Sequence, residues 1–123
     1  MSDNASFEIT GLAAVLRVKD MQVSLAYYRD RLGFTVSFTW DDPPHYACLC
    51  LGHADLHLNA YEPPASSSIV CIFCKGIDAL HGDFLERGAH VARPPADEPY
   101  GMREFEVIDP DGHRLVFGQA ISQ

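Results

Sequence analysis

Asp109-Pro110-Asp111-Gly112-His113 places two carboxylates, a glycine and a histidine in five successive positions. Alternating oxygen donors of this kind open an EF-hand calcium loop, which must close with a bidentate Glu at its twelfth position. Counted from Asp109, the twelfth residue is Ala120, and the would-be loop runs through Leu115-Val116-Phe117. The stretch therefore reads as an Asp-Pro-Asp-Gly turn that feeds a strand. Cys48, Cys50, Cys71 and Cys74 could supply four thiolates to zinc, but they sit in apolar runs where successive side chains alternate between faces. Cys71 and Cys74 would then point oppositely, and all four read as small buried hydrophobes.

The histidines divide by position. His45, His53, His90 and His113 fall at strand ends or turns and His81 on a helix, so they read as structural. His57 is different: on an alternating strand it shares a face with Asp55, Asn59 and Tyr61, opposite Leu56, Leu58 and Ala60.

The elements that must position these groups follow from periodicity. "AAVLRVKD" is a short strand ending at a charged turn. In "MQVSLAYYRDRLG", Met21, Leu25, Tyr28 and Leu32 recur at helical spacing, with Asp20 as N-cap and Gly33 as stop. "FTVSFTW", "HYACLCLG" and "ADLHLNAYE" read as three strands. The second half repeats this order: "SIVCIFCK" is a strand, "IDALHGDFLERGA" a helix with Asp78 as cap and Gly88 as stop, and "HVARPP", "MREFEVID" and "HRLVFGQ" are strands. Gly33 and Gly88 set the offset at 55 residues, too long for a solenoid unit. The expected architecture is α+β: one domain, residues 1–123, of two tandem βαβββ modules, at about 12–62 and 67–120.

Length and charge narrow the function. A chain of 123 residues can bury roughly two-thirds of its unfolded surface. Apolar residues make up 47% and charged residues 21%, as in an ordinary globular protein. A net charge of -8 argues against nucleic acid and is compatible with a neutral or cationic ligand. The N-terminus shows no basic region leading into an apolar core, and no apolar run reaches membrane-spanning length. The expectation is a cytoplasmic protein with reduced thiols and no membrane partner.

The duplication, "LRVKDMQVSLAYYRDRLGF" and "REFEVIDPDGHRLVFGQ" together resemble the vicinal oxygen chelate superfamily, which includes glyoxalase I, extradiol dioxygenases and bleomycin resistance proteins. "SFTWDDPPHYACL", "CKGIDAL" and "PYGMREFEVIDPDG" look most like the bleomycin resistance branch. The resemblance implies curved mixed sheets around a concave, ligand-binding cleft that is completed in a homodimer. It also implies where metal-dependent members carry ligands. Here those positions hold Ala13, His57, Ile69 and Val116, one donor of the four that a divalent ion would use. The expectation is a protein without metal or other cofactor.

Alternation defines the face available to a ligand. Leu56 and Leu58 pack inward, so His57 and Asn59 face the cleft, followed by Tyr61; Tyr46 and Cys48 join them opposite Ala47 and Leu49. Phe105 and Val107 pack inward and leave Glu104 and Glu106 on the other side. Phe38 and Trp40 share a parity whose face the pattern leaves open. Tyr100, Met102 and Arg103 stand where the resemblance leads one to expect a Trp-Gly-Arg-like arrangement. The leading expectation is a binding protein that sequesters a small, largely aromatic, cationic molecule of bleomycin type, with Glu104, Glu106 and Asp41-Asp42 available to its positive charge. A metal-dependent lyase or dioxygenase of the same superfamily, and a regulatory partner protein with a vestigial cavity, stand as alternatives.

Overall fold

A computed structural model describes residues 6–121. The first half comprises β1 (Ala14–Arg17), α1 (Met21–Ala26), β2 (Thr35–Trp40), β3 (Tyr46–Leu51) and β4 (Ala54–Asn59). The second comprises β5 (Ile69–Phe73), α2 (Ile77–Arg87), β6 (Val91–Asp97), β7 (Met102–Ile108) and β8 (Arg114–Ala120). The two halves form separate four-stranded sheets with the same order, β1-β4-β3-β2 and β5-β8-β7-β6. In each, the first strand runs parallel to the fourth and the other neighbours are antiparallel. The βαβββ duplication is thus present as an α+β fold.

Local chemistry accounts for the helices. Asp20 caps α1 as its sequence position suggests, accepting from the Val23 N–H at 3.2 Å. The helix then widens into a π-helical turn, Tyr27–Arg31, and stops at Gly33 with φ 77°. Met21, Leu25, Tyr28 and Leu32 are buried, so the apolar stripe survives the change of pitch. Asp78 is not the cap of α2. Gly76, at φ 70°, occupies that position and has no side chain to offer, and Gln119 of β8 accepts from the Ile77 N–H at 2.9 Å instead. Asp78 lies in the first turn, where it holds Arg103.

One core serves both halves. Leu16, Leu49, Leu56 and Leu58 of the first sheet cluster with Tyr28, Phe84, Phe105, Leu115 and Phe117. Phe84, Phe105 and Phe117 meet at centroid separations of 5.2 to 5.8 Å, the range in which aromatic pairs attract. The face of each sheet opposite this core is open.

Asp109–His113 joins the halves. Asp109 is buried; its Oδ1 accepts from the backbones of Asp111 and His113, both at 2.9 Å, and its Oδ2 accepts from the buried Tyr28 hydroxyl at 2.7 Å. Asp111 reaches the start of α1, accepting from Lys19 N–H at 3.0 Å and the Ser24 hydroxyl at 3.3 Å. His113, structural as its position suggested, accepts from Ser68 N–H through Nδ1 and donates through Nε2 to the Arg17 carbonyl. The turn is therefore also a clasp between the halves.

Candidate functional site

Register sorts the chemistry-bearing residues into rows across the open face of the first sheet. One row runs Phe38, Cys48, His57, Val15; the next runs Trp40, Tyr46, Asn59, Arg17. A bulge decides the face of Phe38 and Trp40. Val36 pairs with Leu49 on the core side, but Phe38 pairs with Cys48, so one extra residue, Ser37, flips the parity. Its hydroxyl donates to the Cys48 carbonyl at 3.0 Å. Phe38 and Trp40 are consequently exposed, 52% and 58%, with near-parallel rings whose centroids lie 6.3 Å apart.

A polar pair sits beside this aromatic wall. The Tyr46 hydroxyl and His57 Nδ1 are 2.9 Å apart, with their rings edge to face. Partial burial, and then the nearby Cys48, raise the Tyr46 pKa, so the phenol keeps its proton at neutral pH. Asn59 turns its amide oxygen to Tyr61 N–H at 2.8 Å. Tyr61 lies at the edge of the face: its hydroxyl donates to Asp41, which raises its own pKa, and its ring stacks on His45 at 5.3 Å.

The remaining candidates belong to the second sheet. Glu106 shares its open face with Val116 and Cys71, and Glu104 with Gly118 and Phe73. Glu106 is not an available carboxylate: its side chain is buried and both oxygens are taken, Oε1 by Arg114 at 2.7 Å and Oε2 by Arg93 at 3.1 Å. Glu104 accepts from the exposed Tyr100 hydroxyl at 2.6 Å, which pushes the phenol up to about 12. Met102 takes the same side, its methyl lying 3.1 Å from where a side chain on Gly118 would begin. Arg103 turns the other way, toward Asp78 and Asp97, each at 3.0 Å.

The positions implied for metal ligands do not line up as expected. β1 sets Val15, rather than Ala13, beside His57, and β5 sets Cys71, rather than Ile69, beside Val116. Each pair offers one donor and one valine. Among the described residues, no three His, Cys, Asp or Glu side chains converge as a divalent ion requires.

Sequence reasoning also missed a cavity of about 670 Å³, which lies between the halves. Ala14, Phe34 and Leu56 wall it from one side and Val70, Ile72 and Phe117 from the other. Its lining mixes core-side residues of both sheets with Asp55, Cys71 and Phe73, so only the contact between halves could have revealed it. The aromatic wall with its Tyr46–His57 pair is the better candidate, because it combines apolar contact with groups that orient a ligand.

These observations meet the comparisons with known proteins. The Bleomycin resistance protein of Geobacillus stearothermophilus is 29% identical over 126 residues, covering 86% of this chain and 93% of the relative. TioX from Micromonospora sp. ML1 superposes with a TM-score of 0.81 at 18% identity, covering 91% of this chain and 99% of that one. TnmS3, an antibiotic binding protein from Streptomyces sp. CB03234, gives 0.77 at 20% identity, covering 95% and 99%. No described helix is long and apolar enough to cross a membrane. The sequence profile that matches residues 11–117 is that of the Glyoxalase/Bleomycin resistance protein/Dioxygenase superfamily, and the chain belongs to that family.

Proposed function

We propose that this protein binds and sequesters a small, largely aromatic molecule of bleomycin type, without a metal and without chemical turnover. The observation that carries this reading is the exposed, near-parallel pair of Phe38 and Trp40 on the open face beside Tyr46 and His57. Exposed aromatic planes offer stacking to a planar ligand. Val15 and Val116, the valines that the register sets beside His57 and Cys71, favour binding without metal. A cationic part of the ligand would find Asp41, Asp42 and Glu104, since Arg93 and Arg114 already neutralise Glu106.

The binding unit in this proposal is a homodimer. One side of β1 and one side of β5 have no neighbouring strand within their sheets. Val15, Ile69 and Phe73 on those strands are 51%, 62% and 77% exposed. A second copy would cover them and bring an open face of each sheet toward a shared cleft. Calorimetric titration with metal-free bleomycin is the test. Micromolar or tighter binding, weakened at least tenfold by Trp40→Ala, is the expected result. Absence of both heat and any change in Trp40 fluorescence at micromolar protein would remove the bleomycin-type assignment.

A further inference from the structure

The Tyr46–His57 pair says more about the ligand than the aromatic wall does. Two proton arrangements are open to it. If Nδ1 carried the ring proton and donated to Tyr46, the phenol hydrogen would need a second acceptor. Among the described residues the Tyr46 hydroxyl has no hydrogen-bond partner but His57. If instead the phenol donates to Nδ1, one hydrogen bond satisfies both groups and the ring proton lies on Nε2. The raised Tyr46 pKa agrees, because a phenol that holds its proton remains a donor. Nε2 makes no hydrogen bond to another described residue, and His57 is only partly buried on the open face. That arrangement leaves an Nε2–H donor with no described partner.

Its distance from the aromatic wall limits what can use it. Phe38 lies on β2 and His57 on β4, two strand spacings apart in one row, or about 10 Å. A single ring stacked on Phe38 and Trp40 falls short of that, whereas two or three fused or directly joined rings with a terminal substituent span it. Between the two stands Cys48, which can make apolar contact but offers only a weak hydrogen-bond group.

We propose that His57 Nε2–H is the polar anchor of the open face and reads a carbonyl-type acceptor at the far end of a planar ligand of two or three fused or directly joined rings, stacked on Phe38 and Trp40. This rests on the ligand-binding reading above and narrows it to a chemical class. A site built around a hydrogen-bond donor discriminates against an isostere that lacks the acceptor, because the donor then loses its water without a replacement.

The experiment uses 2-acetylnaphthalene and 2-ethylnaphthalene, which match in shape and differ in the carbonyl, and measures each by equilibrium dialysis against the full chain. The acetyl compound should bind fivefold to tenfold more tightly. His57→Phe should bring that ratio to about one with 2-ethylnaphthalene affinity retained, and Tyr46→Phe, which frees the tautomer, should lower it at least twofold. Melting curves confirm that both variants fold. Equal affinity of the two probes for the unaltered protein, or a ratio that survives His57→Phe, would overturn the anchor and leave the aromatic wall standing. Failure of both probes to bind would remove the aromatic-ligand reading and the anchor with it.

Discussion

Tyr28→Phe removes one oxygen atom from the clasp between the halves and should cost far more than an atom's share of packing. The Tyr28 ring is fully buried and its hydroxyl donates to Asp109 Oδ2 at 2.7 Å. Asp109 Oδ1 keeps its two backbone donors in the variant, but Oδ2 loses the one described partner it has and stays out of reach of water. A hydrogen bond to a charged group is worth about 1.5–3 kcal/mol, and a stranded buried acceptor falls within that range, so about 2 kcal/mol is expected. With an unfolding entropy of about 2.1 cal/mol/K per residue, a chain of this length should melt about 8 °C lower. Chemical denaturation at pH 7 reads the free energy and calorimetry the midpoint. A double-mutant cycle with Asp109→Ala separates the bond from the loss of either group alone and should return a coupling of at least 1 kcal/mol. A Tyr28→Phe loss below about 0.5 kcal/mol, or a coupling that small, would show that the clasp is geometry without energy and refute the reasoning.

Alkali should probe the same tyrosine. Burial, followed by Asp109, raises the Tyr28 pKa far above its usual value of 10.0, so the folded phenol stays neutral while the unfolded one ionises. The stability that depends on this is whole below pH 10 and falls above it, by about 1.4 kcal/mol per pH unit for each such proton. Between pH 9 and pH 11 Tyr28→Phe should therefore lose about 1.4 kcal/mol less than the unaltered protein in denaturant titrations, and equal losses would exclude Tyr28 as the source. Two glycines should respond with opposite sign. Gly88→Ala forces an L side chain to φ 80° with its Cβ 2.8 Å from Arg31 Nη1 and should destabilise by about 1–3 kcal/mol, whereas Gly82→Ala, inside α2 with open space around it, should gain up to about 1 kcal/mol. Melting curves that move the same way for both would contradict this account.

Much of the architecture was legible because alternation and helical spacing are local signals. Leu56 and Leu58 against His57 and Asn59 are divided between the two faces by parity alone, and Asp20 and Gly33 bracket the first helical stretch as their chemistry suggests. Illegible features depended on contacts distant in sequence. The cap of α2 comes from Gln119, 42 residues on, so Asp78 could only look like the nearest acceptor. Glu106 looked available because the arginines that neutralise it stand on neighbouring strands, one of them β6, whose register shifts twice. The face of Phe38 and Trp40 turned on a single extra residue at Ser37, which no alternation reveals. Asp109–His113 read correctly as a turn; its grip on Tyr28 spans 81 residues and leaves no trace in the local pattern.

The two halves share an order of elements but not this grip. Where the second half sets Asp109–His113 between its last two strands, the first has only the two residues Gly52 and His53 between β3 and β4. One copy of the repeat has become the lock and the other the key. A chain rebuilt from two first halves would have the helix and nothing to hold it, and one rebuilt from two second halves would carry two acidic turns with neither Tyr28 nor Ser24 to receive them. The duplication has thus lost its interchangeability while keeping its outline, and each half has become a specialised part of one molecule.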